Sequence, residues 1–308
     1  SSLETSMPST RRFLAMAAVC LAIGCSDTPD NSDPVSSQCA SAPSAVTSGL
    51  FEFILDGKTR RFRLTVPAAK AGVAMPIIVA FQGGDGGDWP FPQQTKFEEL
   101  AAKQPAIFVR PIANKEPENE GAWQLNTTDK TRQDIRFVDA LLDRLSGRYC
   151  VDPKRIYATG YSLGSMFTYE VACQMNKRFA AVASFAGTMP VSPASCSLDD
   201  NIPVMHIHGV KDPIIAYKNS WDWKAWDSVG TMMDIPSLVA SWGKRNGCQQ
   251  VNELPTKDGL HVTHTDCSGG VRVEHHRLDD VGHDWPQTID GLSTHQVIWD
   301  FLASFAKP

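Results

Sequence analysis

Ile156-Tyr157-Ala158-Thr159-Gly160-Tyr161-Ser162-Leu163-Gly164 decides how the rest of the chain is read. Ile156 to Thr159 has the composition of a short buried strand, and the residues from Gly164 to about Met175 suit a helix. Between them stands G-x-S-x-G, the signature of a sharp strand-to-helix turn that lifts a serine hydroxyl out of strained backbone. Gly160 and Gly164 remove side chains that would collide where strand and helix cross. A plain tight turn is the rival reading, but the flanks supply both elements that the motif demands.

Working outward, apolar runs at Ile77–Phe81, Ala106–Val109, Ala180–Phe185 and Val204–Ile207 suit strands buried on both faces. Phe51–Leu55 and Arg60–Val66 flank Asp56-Gly57, a hairpin signal. Asp134 to Tyr149 carries Ile135, Val138, Leu141, Leu142 and Leu145 on one face and predicts an amphipathic helix. Asp234 to Asn246 reads as a helix with Pro236 in its tolerant first turn. Val251–Leu254, His261–Thr265 and Val271–Leu278 read as strands, and Thr294–Ala306 as a closing helix. Strands that alternate with helices after a hairpin predict an α/β fold with a mostly parallel central sheet and helices on both faces.

A serine hydroxyl needs a base. A serine in such a turn is followed in the chain by an acid and then a histidine. His283, in Val281-Gly282-His283-Asp284-Trp285-Pro286, follows a strand end and is the expected base. His275 and His276 alternate faces inside a strand and read as structural. His261 and His264 lie in a hairpin, and His295 opens the last helix. Asp212, after Val204–His208, is the expected acid that fixes the imidazole tautomer. Its rivals Asp279, Asp280 and Asp284 lie too close to His283 to keep the order. The oxyanion needs prearranged N–H donors. The backbone N–H groups of Leu163 and Gly84 are the candidates, with Gly83 allowing the turn. Trp221, Trp223 and Trp226, with Trp89 and Trp123, are either aromatic walls for a substrate or core anchors.

The chain has 308 residues and a net charge of −5, with no basic block that would suit nucleic acid. Arg11-Arg12 precede the apolar run Phe13–Ile23, which is too short to span a bilayer. Leu21-Ala22-Ile23-Gly24-Cys25 resembles a bacterial lipobox, so residues 1–25 read as a signal peptide with Cys25 as the lipidated residue; simple cleavage is the alternative. Residues 26–48 read as a flexible linker, and 49–308 as one catalytic domain. Cys39, Cys150, Cys173, Cys196, Cys248 and Cys267 remain, an even number that in an exported chain implies disulfides. Cys248 and Cys267 flank a hairpin and are the first pair expected; Cys173–Cys196 and Cys39–Cys150 complete the set. No C-x-x-C spacing occurs and no metal is expected.

Taken as an ordered set, several motifs resemble the polyhydroxybutyrate depolymerase and feruloyl esterase group of α/β-hydrolases. They are Tyr149-Cys150-Val151-Asp152-Pro153-Lys154-Arg155-Ile156, the turn at Ser162, Phe179–Ala183, His208-Gly209-Val210-Lys211-Asp212-Pro213, Asn246-Gly247-Cys248, Cys267-Ser268-Gly269-Gly270 and Gly282-His283-Asp284-Trp285-Pro286. The resemblance implies the α/β-hydrolase fold, a Ser162–Asp212–His283 triad and a Cys248–Cys267 bridge. An esterase without a cofactor is expected; the leader and lipobox imply a secreted protein that touches membrane only through its lipid anchor, and a monomer is expected. Its ester substrate would be feruloyl or acetyl groups on plant polysaccharide, or a hydroxyalkanoate polyester. Gln82, Trp123, Trp221 and Trp285 are the expected substrate-binding residues. The group has His-Gly where this chain has Gln82-Gly83, which leaves open a protein that binds carbohydrate without turnover.

Overall fold

The computed structural model describes residues 37–84, 87–114, 123–128, 130, 132–197, 199–222 and 229–308. All belong to a compact unit, Val35–Pro308. The leader, Cys25, residues 26–36 of the linker, Trp223 and Trp226 lie outside the described residues.

Strands β1 (Thr47–Leu55) and β2 (Lys58–Val66) form the expected hairpin. Asp56 and Gly57 turn it at φ 50° and 75°, the left-handed pair that a two-residue hairpin requires. Next come β3 (Met75–Phe81), α1 (Gln94–Lys103), β4 (Ile107–Ile112), α2 (Gln133–Arg148) and β5 (Val151–Tyr161). Then follow α3 (Leu163–Gln174), β6 (Ala181–Phe185), β7 (Val204–Gly209), and the short pair β8 (Trp221–Asp222) and β9 (Thr231–Met232). The chain continues through α4 (Ile235–Arg245), β10 (Gln250–Pro255), β11 (Gly259–Thr265), β12 (Val273–Leu278), the short pair β13 (Thr288–Ile289) and β14 (Leu292–Ser293), and α5 (Thr294–Ala303).

Ten of these strands form one sheet in the order β1-β2-β4-β3-β5-β6-β7-β12-β11-β10. The six from β4 to β12 run parallel, and antiparallel strands flank them on both sides. Side chains alternate across each strand, so each buried strand feeds two cores. Ile77, Val79, Val109, Ala158, Val182 and Val204 pack under α2, α3 and α4. Ile78, Ala80, Phe108, Tyr157, Met205 and Ile207 pack under α1 and α5. Parallel strands present their carboxyl ends on one edge, where such sheets build sites.

Three disulfides join Cys39 to Cys150, Cys173 to Cys196 and Cys248 to Cys267, all as expected. The first corrects the linker boundary. Residues 37–48 are not a free tether: Cys39 is bonded to Cys150, its carbonyl accepts from Gly72 N–H at 2.8 Å, and β1 already begins at Thr47.

Candidate active site

Ser162 sits between β5 and α3 at φ 54° and ψ −122°, outside the comfortable regions for an L-residue. Its own N–H donates to Phe185 O at 2.9 Å, which anchors the turn to β6. Added Cβ atoms show why glycines flank it. One on Gly160 would lie 2.2 Å from Gly164 O, and one on Gly164 would lie 2.0 Å from Phe81 O. Strand, turn and helix can therefore cross only with no side chain at either place.

His283 lies on the loop after β12, and Asp212 on the loop after β7. Gly209 lets these loops meet, since a Cβ there would lie 2.2 Å from Val281 O. The His283 ring places Nε2 2.8 Å from Ser162 Oγ and Nδ1 2.7 Å from Asp212 Oδ2. Tyr161 O–H donates to His283 O at 2.9 Å and so ties the histidine loop to the serine turn. Asp212 Oδ1 accepts from Ile214 and Ile215 N–H, both at 2.8 Å. Burial alone would push the Asp212 carboxyl up. Hydrogen bonds from His208 and His283, then from Ile215 and Ile214, outweigh it and hold the group well below the usual carboxylate range.

The segment after β3 approaches the serine closely. A Cβ on Gly83 would lie 2.7 Å from Ser162 Cβ and 2.8 Å from Tyr161 O. Gly84 follows at φ 78°, a conformation that suits glycine. Leu163 opens α3, so its N–H has no intrahelical partner and sits at the positive end of the helix dipole.

Two expected substrate-binding residues have other tasks. Gln82 is buried: its Oε1 accepts from Arg110 Nη1 at 2.8 Å, and its Nε2 donates to Gly87 O. Arg110 is also buried and donates to Asp88 Oδ1 at 2.6 Å, while Arg63 grips the same carboxylate. The side chain of Gln82 therefore links buried Arg110 to the Gly87 carbonyl. Trp123 is fully buried, stacked on Phe167 at 4.6 Å and donating to Gln82 O at 2.9 Å. It is a core anchor, not a substrate wall. Trp285 is half-buried, stacked on Phe185 at 4.5 Å and edge-on to Tyr161. Trp221 lies half-buried on β8. Trp89, by contrast, is 62% exposed and lies against Gly87.

Away from this site, donor atoms of His261, Glu274 and His276 lie within 4.8 Å of one another, beside a cavity of about 470 Å³. The geometry does not suit a cation. The two imidazole rings are stacked 4.3 Å apart and within 8° of parallel, so their in-plane lone pairs share no target. Glu274 already accepts from Arg272 at 2.5 Å and contacts His261 at 3.1 Å.

The dienelactone hydrolase family profile matches residues 100–225, a span that holds Ser162 and Asp212. The acetyl xylan esterase structure from Aspergillus awamori superposes with a TM-score of 0.55 at 13% identity, over 83% of this chain and 99% of that one. The chain has the α/β-hydrolase fold. Feruloyl esterase B of Piromyces equi is 25% identical to this chain over 240 residues, 76% of the chain and 43% of that protein. A bifunctional acetylxylan esterase/xylanase of Neocallimastix patriciarum is 26% identical over 237 residues, 75% of the chain and 31% of that protein. The chain thus spans less than half the length of these relatives. They bear out the group whose motifs it resembles.

Proposed function

We propose that this α/β-hydrolase is a serine carboxylesterase that transfers an acyl group through Ser162 to water. The supporting observation is the unbroken contact from Asp212 through His283 to Ser162 Oγ. In this reading His283 Nε2 takes the serine proton as Oγ attacks the ester carbonyl. The N–H groups of Leu163 and of the Gly83–Gly84 turn hold the developing oxyanion. Collapse breaks the C–O bond, and His283 returns the proton to the leaving alcohol. Water then attacks the acyl-enzyme, again with His283 as base, and the acid departs. Asp212 fixes the tautomer and offsets the imidazolium charge. None of these steps calls on a cofactor.

The acyl group follows from the relatives named above: feruloyl or acetyl esters on plant polysaccharide. The exposed indole of Trp89 is a surface on which a phenolic or sugar ring could lie. Three disulfides suit an oxidising compartment. Lipid anchoring at Cys25 rests on the lipobox pattern alone. The test is hydrolysis of methyl ferulate, acetylated xylan and hydroxybutyrate oligomers by the wild type and Ser162→Ala. We expect turnover of the first two and at least about a 10³-fold loss in the variant. Preference for the hydroxybutyrate oligomers would replace the polysaccharide assignment, and equal, negligible rates in both proteins would remove the catalytic one.

A further inference from the structure

His206 and His208 stand two residues apart on β7, so both side chains leave the sheet on the same face. That face also carries His275, which pairs with His206 across the parallel β7–β12 ladder. All three imidazoles are buried. They are joined to one another and to the triad by a continuous line of contacts. His208 Nε2 lies 2.9 Å from Ile215 O and 3.3 Å from Asp212 Oδ2, the same oxygen that His283 engages. His208 Nδ1 lies 3.1 Å from His206 Nε2, and His206 Nδ1 lies 2.5 Å from Tyr169 O–H on α3.

The protons on this line are fixed by elimination. His208 Nε2 faces two acceptors, so it carries a proton. A second proton on His208 would put a cation wholly out of water, beside a carboxylate that two backbone N–H groups and His283 already satisfy. Neutral His208 must therefore accept at Nδ1, and the partner facing it is His206 Nε2–H. His206 must then accept at Nδ1, from Tyr169 O–H. Its ring is held well below the usual histidine range by burial and then by His208 and His275, which keeps the link neutral. His275 is fixed separately: Nδ1–H donates to His206 O at 2.9 Å, and Nε2 accepts from Tyr217 O–H at 2.9 Å.

We infer that Tyr169, His206 and His208 form a one-directional, uncharged hydrogen-bond relay that presents a fixed N–H to Asp212, and that His208 is a positioning residue for the triad acid. The inference rests on the esterase reading for its rate consequences but not for its proton positions. By taking a share of Oδ2, His208 N–H lowers the basicity of Asp212 and limits its pull on the His283 imidazolium. It also keeps the carboxylate turned toward His283. The other groups near this line are Tyr161 with Asp284 at the triad, Lys211 with Asp280 at the rim, and Tyr217 with Arg277, Asp279, Asp234 and Glu253. His208 and His283 are the two histidines that touch Asp212 in the described residues.

Removing the donor makes Asp212 more basic and its hold on protonated His283 stronger. The acid limb of the kcat/KM profile then moves upward. His208→Phe fills the same volume without an N–H. We expect kcat/KM on a short-chain nitrophenyl ester to fall about 10- to 100-fold, part of the 10²–10⁴ that general base catalysis supplies. His208→Gln, which can return an N–H to the carboxylate, should recover much of that loss and restore the acid limb. An unmoved acid limb and an unchanged rate in folded His208→Phe overturn the inference. A second measurement needs no variant and no substrate. In wild-type protein labelled with ¹⁵N, the side-chain shifts of His206 and His208 should report rings protonated at Nε2 and unprotonated at Nδ1. A charged His208, or a proton at its Nδ1, overturns the relay. Expected tautomers in a protein that hydrolyses no ester support the relay and overturn the esterase reading instead.

Discussion

Ser162 is held in left-handed backbone by neighbours that leave it no alternative, and the same economy governs Gln82. A glutamine offers one acceptor and one donor, and both are used: the acceptor on Arg110, the donor on the Gly87 carbonyl. It therefore holds the loop beside the serine without adding charge next to buried Arg110. This is why the departure from His-Gly does not argue for an inert binding protein. Gln82→Leu keeps bulk but strands an N–H of Arg110 and the Gly87 carbonyl. We expect a loss of about 1–3 kcal/mol in stability for the unsatisfied groups. We also expect roughly a tenfold or greater fall in kcat/KM as the oxyanion donors loosen. Urea melts and steady-state rates check both; a variant that melts early yet turns over normally would separate the loop brace from the chemistry.

At the scale of elements, the site depends on how closely loops from different strands approach. Gly209, at the end of β7, touches the loop that carries His283. Gly209→Ala must push Val281 and Gly282 away, because backbone carbonyls cannot swing aside as a side chain can. A displacement near 1 Å at His283 is enough for about a 10²-fold loss in kcat/KM. Wild-type rates in Gly209→Ala would show that the loop yields without moving the imidazole. The strands that bring these loops together were legible as unbroken apolar runs, and the serine turn as a motif. So were the positions of Asp212 and His283, because each follows a strand end. Helix α1 was not: its buried residues are only Phe97, Leu100 and Ala101, and Gln93 gives no side-chain cap. Trp123 was misread because a tryptophan in a loop looks exposed in sequence, while the packing on Phe81 and Phe167 exists only in three dimensions. The strand order and the partners of His206 likewise depend on non-local pairing that no local pattern encodes.

At the scale of the whole molecule, two features set stability rather than chemistry. The Cys39–Cys150 bond closes a loop with a sequence separation of 111 and pins the segment before β1 to the start of β5. Ser162 leaves the other end of that strand, whose Val151–Gly160 stretch lies along Met75–Phe81 of β3 and so spans about 20 Å at the usual rise. The Cys39→Ser, Cys150→Ser double variant should lose about 2–5 kcal/mol of stability. At 25 °C its kcat/KM should stay within about twofold, because the change lies at the far end of the strand from the nucleophile. A large rate loss in protein that remains folded would show that the two ends are coupled.

The pH dependence of folding has a different origin. Glu170 on α3 is buried, and burial pushes its carboxyl up to about 7 against hydrogen bonds from Asn126 N–H and Gln174 Nε2 at 2.5 and 2.7 Å. A raised carboxyl binds its proton more tightly in the folded state. Its contribution is therefore complete below the ordinary value of 4.5 and is lost as pH rises through about 7. Asp212 and Glu274 run the other way. Burial would raise Glu274, but hydrogen bonds from His261 and Arg272 hold it down at about 2, so its stabilisation is complete above 4.5 and is lost as pH falls toward 2. The two trends place the greatest stability near the ordinary carboxyl range. Glu170→Gln removes the penalty while keeping an acceptor for Asn126 N–H. Its advantage over the wild type should be small at pH 5 and grow to about 1–3 kcal/mol by pH 8. Thermal melts at the two pH values decide: an advantage that does not grow with pH means Glu170 is ionised in the folded protein throughout, and the alkaline loss must be sought in another group.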